Sequence, residues 1–316
     1  MCQLKSGILL KDRVFIPDYD SHEDMLKELK IEDTEDNAKR LFVRAELIPP
    51  NDNVFTPVSK WKYRVDQDIL PDWYVPEIDE KRMRNAVAEW AKEHIHVGEK
   101  IEEITSGLHW IKDGTVGTIS GSAKVELVSG SAKVVNIFGS AEVEKIFGSA
   151  KVVNIFGSAK VEKIFGSAEV EKIFGSAEVV NIFGFAEVEK ISGFAKVENI
   201  CDSAKVVNIF SSAEVGYVYG SAKVGSVYDT ATVENICGLA TVENICGSAK
   251  VGSVYDTATV GSVYDTATVM TDSVSKWYNA DAVCIKDEAV LIDRYNKKIY
   301  HSGAFETVIA GGKKGE

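Results

Sequence analysis

From Gly121 onward the apolar residues recur in a nine-residue frame: Ala at position 3, Val at position 5, and Ile or Val at position 8. The frame runs without insertion from Gly121 to Ser273, as 17 units such as GSAKVVNIF and GSAEVEKIF. Only the last unit departs at position 8, where Asp272 stands. A degenerate unit precedes the run, with Val116 and Ile119 in the expected places. Residues two apart face one side of a strand, so Ala and Val point one way and the Lys, Glu or Thr between them points the other. Gly, Asp or Ser at position 1, usually followed by Ser or Thr, supplies a turn. A helix with Gly at nearly every ninth place would lose roughly 1 kcal/mol at each one. One unit is too short to bury its apolar side alone, so the units must stack. The pattern predicts an all-β solenoid.

Two units per coil give an 18-residue coil, and three give 27. Taking every second unit, position 4 reads Lys124, Glu142, Lys160, Glu178, Lys196, Glu214, which alternates in sign. The other column, Lys133, Lys151, Glu169, Glu187, Lys205, Lys223, is less regular. The 18-residue coil is favoured and the three-sided coil stays open.

Residues 1–115 lack the repeat and hold all six prolines, the last being Pro76. They read as a small α+β domain with strands at Gly7–Ile16, Leu41–Leu47 and Trp61–Asp66. Ser21 is placed to cap a helix running to about Lys30. Asp79 is placed to cap a second one, Glu80–His94, whose Met83, Val87, Trp90 and Ala91 share a face. Between them, residues 68–76 form a loop rich in aromatics. Residues 116–273 are the solenoid and 274–316 a β cap and tail. Strands are expected at Val283–Ile285, Ala289–Asp293 and Tyr295–His301, with a turn at Asn296-Lys297 and a flexible tail from about Gly311.

Composition narrows the function classes. The net charge is −12, which disfavours direct binding to nucleic acid or to an anionic membrane. No apolar run approaches the ~18 residues of a spanning helix. The cysteines Cys2, Cys201, Cys237, Cys246 and Cys284 include no CxxC pair and read as reduced thiols in a cytoplasmic protein. Cys201 and Cys237 would share a column two turns apart, ~9.6 Å, too far for a disulfide.

Candidate chemistry is sparse. His94 and His96 form an HxH pair with His109 nearby, but zinc needs further ligands, and we read them as surface histidines at a helix end. Asp18 and Asp20 form a DxD that reads as a capped acidic loop. Residues 32–36 (EDTED) read as a solvated turn. Catalytic signatures of the hydrolase, metalloprotease and phosphate-loop kinds are missing. Calcium-binding nonapeptides need Asp at position 6, where this chain has Glu, Val or Gly in most units. The Thr-Ala-Thr triplets at Thr230–Thr232, Thr257–Thr259 and Thr266–Thr268 resemble ice-binding rows, but Lys or Glu interrupts them in most units. No catalytic, cofactor or metal residue is assigned, and no enzyme activity is expected.

The repeats DTATVENIC, GSAKVGSVY and DTATVGSVY, behind a domain containing DYDSHEDMLKEL, FVRAEL and DQDILPDWY, resemble uncharacterised nonapeptide-repeat β-solenoid proteins of gut bacteria and their phages. That resemblance spans nearly the whole chain and implies no activity. A weaker likeness is to bactofilin-type polymerising solenoids, whose hexad-like Gly spacing is absent here. The expected function is a rigid scaffold or protein-interaction module of phage or mobile-element origin. A protein partner would bind through the N-terminal domain or a solenoid face. The alternatives are an acidic nucleic-acid-mimicking inhibitor of a DNA-handling or defence protein, and a filament subunit that oligomerises through a solenoid end.

Overall fold

The computed structural model describes residues 4–271, 284–294, 297–302 and 304–307. Two compact units divide the chain. The first runs to Val97 and includes Gly107–Trp110; the second comprises Gly98–Ser106 and the described residues from Ile111 on.

The second unit is a two-sided parallel β-solenoid. Lys133 pairs with Lys151, Val134 with Val152 and Ile137 with Ile155, so the coil is 18 residues long and each coil takes two units. The three-sided coil is thereby excluded. One sheet collects every second strand from Lys133–Ile137 to Thr259–Val263, and the other every second strand from Lys124–Ser129 to Thr268–Thr271. Position 3, 5 and 8 side chains from both sheets fill one continuous core, represented by Ala159, Val161 and Ile164, each 0 % exposed. The turns are hydrogen-bonded along the stack as well as the strands: Ser158 N donates to Gly139 O at 3.1 Å, and Phe156 N to Ile137 O at 2.9 Å. Backbone groups at the corners are thus satisfied without water.

The parallel stack starts before the repeat becomes legible. Strand Lys100–Ile104 pairs with Thr115–Ile119, aligning Ile101 with Val116 and Ile104 with Ile119. At the other end Cys284–Ile285 joins the first sheet and Val290–Asp293 the second, with Ser262 facing Cys284 across a longer coil. Lys298–His301 and then Ala304–Thr307 add antiparallel, so the sheet ends in a meander instead of a bare parallel edge. The expected turn residue Asn296 and the tail from Gly311 lie outside the described residues.

The first unit is a four-stranded antiparallel sheet ordered β2-β1-β3-β4, with β1 at Lys5–Leu10, β2 at Val14–Phe15, β3 at Phe42–Ile48 and β4 at Lys62–Val65. The single expected strand Gly7–Ile16 is two strands, because Lys11-Asp12-Arg13 turns the chain and Leu10 N bonds Arg13 O at 2.8 Å. β1 is buried throughout because both faces are covered. Helix α1 (His22–Glu28) sits over Ile8 and Leu10, burying Met25 and Leu26. On the other side, a Cβ on Gly7 would lie 2.9 Å from Met83 of helix α3 (Pro76–His94).

Ser21 caps α1 as expected, accepting from Asp24 N at 3.2 Å. The second cap is corrected. α3 starts at Pro76, whose fixed φ and missing N–H suit the first helical position. Asp79 lies inside the helix and reaches back to accept Val75 N at 2.7 Å. A short helix α2 (Glu35–Ala38) was not expected; Thr34 caps it by accepting Asn37 N at 3.2 Å.

Candidate functional site

The first unit gathers several of the candidate residues. α3 ends at His94, and His94 and His96 are each only 8 % exposed, so they are not the surface histidines expected from their place at a helix end. The reason is a stack of rings: Trp90 on His94 at 4.5 Å, His94 on His109 at 5.5 Å, and His109 on His96 at 5.4 Å. His94 Nδ1 lies 2.6 Å from Trp90 O, and its Nε2 lies 2.8 Å from Asp18 Oδ1. At these distances both ring nitrogens are already engaged by the chain itself. His96 Nε2 and His109 Nδ1 face each other at 3.1 Å. The HxH pair therefore does not converge on one point.

The two aspartates of the DxD are turned to different tasks. Asp18 also accepts Trp90 Nε1 at 3.2 Å. Asp20 binds the Nζ of Lys5 at 2.8 Å and accepts Ser6 N at 2.9 Å. Lys5 is 1 % exposed and lies over the Trp90 ring. Burial pushes its pKa down, while Asp20 acts against that shift. Asp20 is thus a structural clamp on a buried ammonium, and Asp18 ties the ring stack.

Residues 32–36 are exposed apart from their contacts: Asp33 pairs with Arg44, and Thr34 caps α2. The aromatic loop is anchored, Trp73 Nε1 donating to Arg40 O at 2.7 Å and the Tyr63 and Tyr74 hydroxyls meeting at 3.2 Å.

On the solenoid the position-4 columns form ion pairs along the stack: Lys151–Glu169 at 2.7 Å, Glu187–Lys205 at 2.8 Å, Lys160–Glu178 and Lys196–Glu214 at 3.4 Å. All are half-exposed, and such pairs are each worth under ~1 kcal/mol. At position 6 glutamates stack on one another instead. Glu126 and Glu144 stack at position 6 beside Glu162. Burial, then the hydrogen bond with Glu144 and its charge, push the Glu126 carboxyl up to about 7. The shared hydrogen bond holds Glu144 below its usual value. Cys201, Cys237 and Cys246 are free thiols.

Three features escaped sequence reasoning. Position 9 forms aromatic ladders, Phe138–Phe156–Phe174 and Phe147–Phe165–Phe183, with ring centroids 5.0–5.1 Å apart. The 18-residue spacing of the phenylalanines was the available signal. Phe185 and Phe194 stand at position 2 where serine is usual, and are 71 % and 69 % exposed. Finally, His22, Glu46 and Asp66 bring one ligand-type atom each within 4.8 Å of one another, the one such trio among the described residues. They come from a helix start, a strand and a strand end, with no spacing that a motif could register.

The fold places the chain in the class of two-sided parallel β-solenoid proteins with a separate α+β unit. No family model, curated protein or solved structure matches it. Among the described residues, no helix is long and apolar enough to cross a membrane.

Proposed function

We propose that the chain is a non-enzymatic rigid scaffold, a protein-interaction module that acts in the cytoplasm and derives from a phage or mobile element. The origin rests on the resemblance of its repeats. One observation carries the functional reading: the inward triad is Ala, Val and then Ile or Val in all but the last unit, as Ala132, Val134, Ile137 and Ala150, Val152, Ile155 show, each at most 1 % exposed. Coils built this way are interchangeable, so length is adjustable without redesign of the core. The first unit has a unique sequence and exposes Leu41, Leu70 and Ile78, and it supplies partner specificity.

Photoreactive residues placed in the full chain at Leu70 and Ile78, and separately at Lys133 and Glu171 on the solenoid, test this division. Crosslinks to one protein species should form from the first pair. Crosslinks from the solenoid positions alone would reverse the assignment.

The mixing of Lys with Glu along the position-4 columns favours the scaffold over a nucleic-acid mimic, which would need an uninterrupted negative surface. A mimic would bind a DNA-handling protein with steep salt dependence. The antiparallel strands after Val290–Asp293 likewise disfavour a filament grown from that end through the second sheet, whose parallel edge they occupy.

A further inference from the structure

We propose that His22, Glu46 and Asp66 bind one divalent transition-metal ion of the zinc class, a site independent of the scaffold reading. His22 opens α1, Glu46 lies in β3 and Asp66 follows β4, and all three belong to the first unit. Their ligand atoms lie within 4.8 Å of one another. An ion among them would need each atom to move by under ~1 Å to reach the ~2.1 Å of zinc–oxygen and zinc–nitrogen bonds.

Two observations point to a cation there. First, His22 Nε2 lies 3.4 Å from Ala45 O, and a carbonyl only accepts, so the ring proton belongs on Nε2. The lone pair of Nδ1 then faces Asp66 Oδ2 at 3.4 Å, acceptor against acceptor. An imidazole whose far N–H is held by a backbone carbonyl is the usual geometry of a metal-ligating histidine. Second, Glu46 is only 6 % exposed, and its Oε2 accepts no hydrogen bond. Arg64 Nη2, itself half-exposed, lies 2.7 Å from that oxygen as its ion-pair partner. A proton on Nδ1 would relieve the first conflict; a metal would relieve it and also set a second cation against the buried Glu46 carboxylate.

One imidazole and two carboxylates select a borderline ion over calcium or magnesium, which take all-oxygen shells. Asp66 is the half-exposed member and marks the side open to solvent, where water completes the coordination. Arg64 competes for the carboxylates, lying 3.3 Å from Asp66 Oδ1 as well. It is 52 % exposed and free to turn into water when the ion enters. Removing it should therefore tighten binding, a result that a merely structural cluster would not give.

Zinc is titrated into the chelator-stripped full chain against a chromophoric competitor, and cobalt absorption reports the ligand set. One equivalent should bind, with the melting temperature rising as zinc is added. His22→Ala and Asp66→Asn should each weaken binding by roughly 10–100-fold, Arg64→Ala should strengthen it, and His96→Ala should leave it unchanged. Should His22→Ala lose its fold, the exposed Asp66→Asn and Arg64→Ala variants still decide. Binding that survives Asp66→Asn, disappears in His96→Ala, weakens in Arg64→Ala or is absent at millimolar zinc overturns the proposal.

Discussion

The carboxylate of Asp229 accepts the backbone amide of Ser211, one coil earlier, at 3.1 Å. Both residues occupy position 1, and both have positive φ, +57° for Asp229 and +58° for Ser211. Most coils put glycine there, because it adopts this conformation without the penalty a Cβ brings. Asp265 repeats the arrangement with Gly247 N at 2.9 Å. Aspartate at position 1 thus offsets its backbone strain with a bond along the stack. The threonine that follows adds another: Thr230 Oγ1 donates to Ser211 O at 2.9 Å.

Asp229→Ala keeps the strain and loses the bond, so it should destabilise the solenoid by about 1–3 kcal/mol. Asp229→Gly loses the bond but relieves the strain, and should fall within about 1 kcal/mol of the parent. Urea denaturation of the two variants separates these contributions. Equal losses would mean that the αL strain is negligible at this turn.

Interchangeable coils make a second prediction. Ile164 and Ile173 lie in opposite sheets, and each is 0 % exposed among the same kinds of neighbour. Ile164→Ala and Ile173→Ala should each cost about 2–5 kcal/mol, and the two should agree within about 0.5 kcal/mol. A clear difference in denaturation midpoint would show that one sheet packs more tightly than the other.

These equivalences explain why the solenoid was legible in the sequence and much of the first unit was not. A nine-residue period is reinforced in unit after unit, so Ala159, Val161 and Ile164 announce their facing through repetition. The start of α3 had no such support. Asp79 is a fine capping residue, but Pro76 was also suited to begin a helix, and local chemistry alone does not choose between them. The burial of His94 and His96 depends on Trp90 and His109, and only tertiary structure brings His109 alongside. The trio of His22, Glu46 and Asp66 is assembled by sheet pairing, which no linear spacing encodes.

The clamp on Lys5 yields a third prediction. Lys5 is 1 % exposed, and Asp20 is its ion-pair partner at 2.8 Å. Asp20→Ala leaves a buried ammonium with the Tyr19 carbonyl as neighbour and only the charge of Asp18, which it does not bond, to compensate it. The expected loss is about 2 kcal/mol, below the ~3–5 kcal/mol of a fully buried pair because Asp20 is partly open to water. Lys5→Met with Asp20→Ala should recover part of it. A double variant as unstable as Asp20→Ala alone would show that the charge is not the cause.

The stacked carboxylates give the solenoid a dependence on pH. Glu126 titrates near 7 in the fold against 4.5 for an ordinary glutamate. A raised pKa means that the folded chain holds this proton more tightly than the unfolded chain. The resulting stabilisation is fully present below pH 4.5 and is lost as pH rises through about 7. Glu144, held low by the same hydrogen bond, works in the opposite direction at acid pH. Glu126→Gln keeps a hydrogen-bond donor and removes the titration. Its melting temperature relative to the parent should rise between pH 5 and pH 8. A difference that stays flat over that window would show that Glu126 is solvated enough to ionise freely.

Among the gaps in the aromatic ladders, the one at Ser192 can be filled. Phe138, Phe156 and Phe174 stack at 5.0 Å, and Phe210 stacks on Tyr228 at 4.9 Å, but Ser192 interrupts the column between Phe174 and Phe210. Its backbone follows the same path as its neighbours, Ser192 N donating to Ile173 O at 2.9 Å just as Phe174 N donates to Ile155 O at 2.9 Å. Ser192→Phe would therefore meet a ring on each side at the ladder's own spacing. Each stacked pair adds about 0.5–1.5 kcal/mol beyond burial, so two pairs, less the entropy of ordering one side chain, should stabilise the chain by about 1–2 kcal/mol. At this chain length that raises the melting temperature by about 1.5–3 °C. Phe156→Ser provides the converse: it opens an equivalent gap and should lower stability by at least as much, since it also uncovers apolar surface. The exposed Phe194 two residues on shares this corner, and it is the one residue placed to interfere. A Ser192→Phe variant that melts below the parent, while Phe194→Ser with Ser192→Phe melts above it, would locate the fault there. Destabilisation in both would mean that ladder stacking does not contribute to the stability of the solenoid.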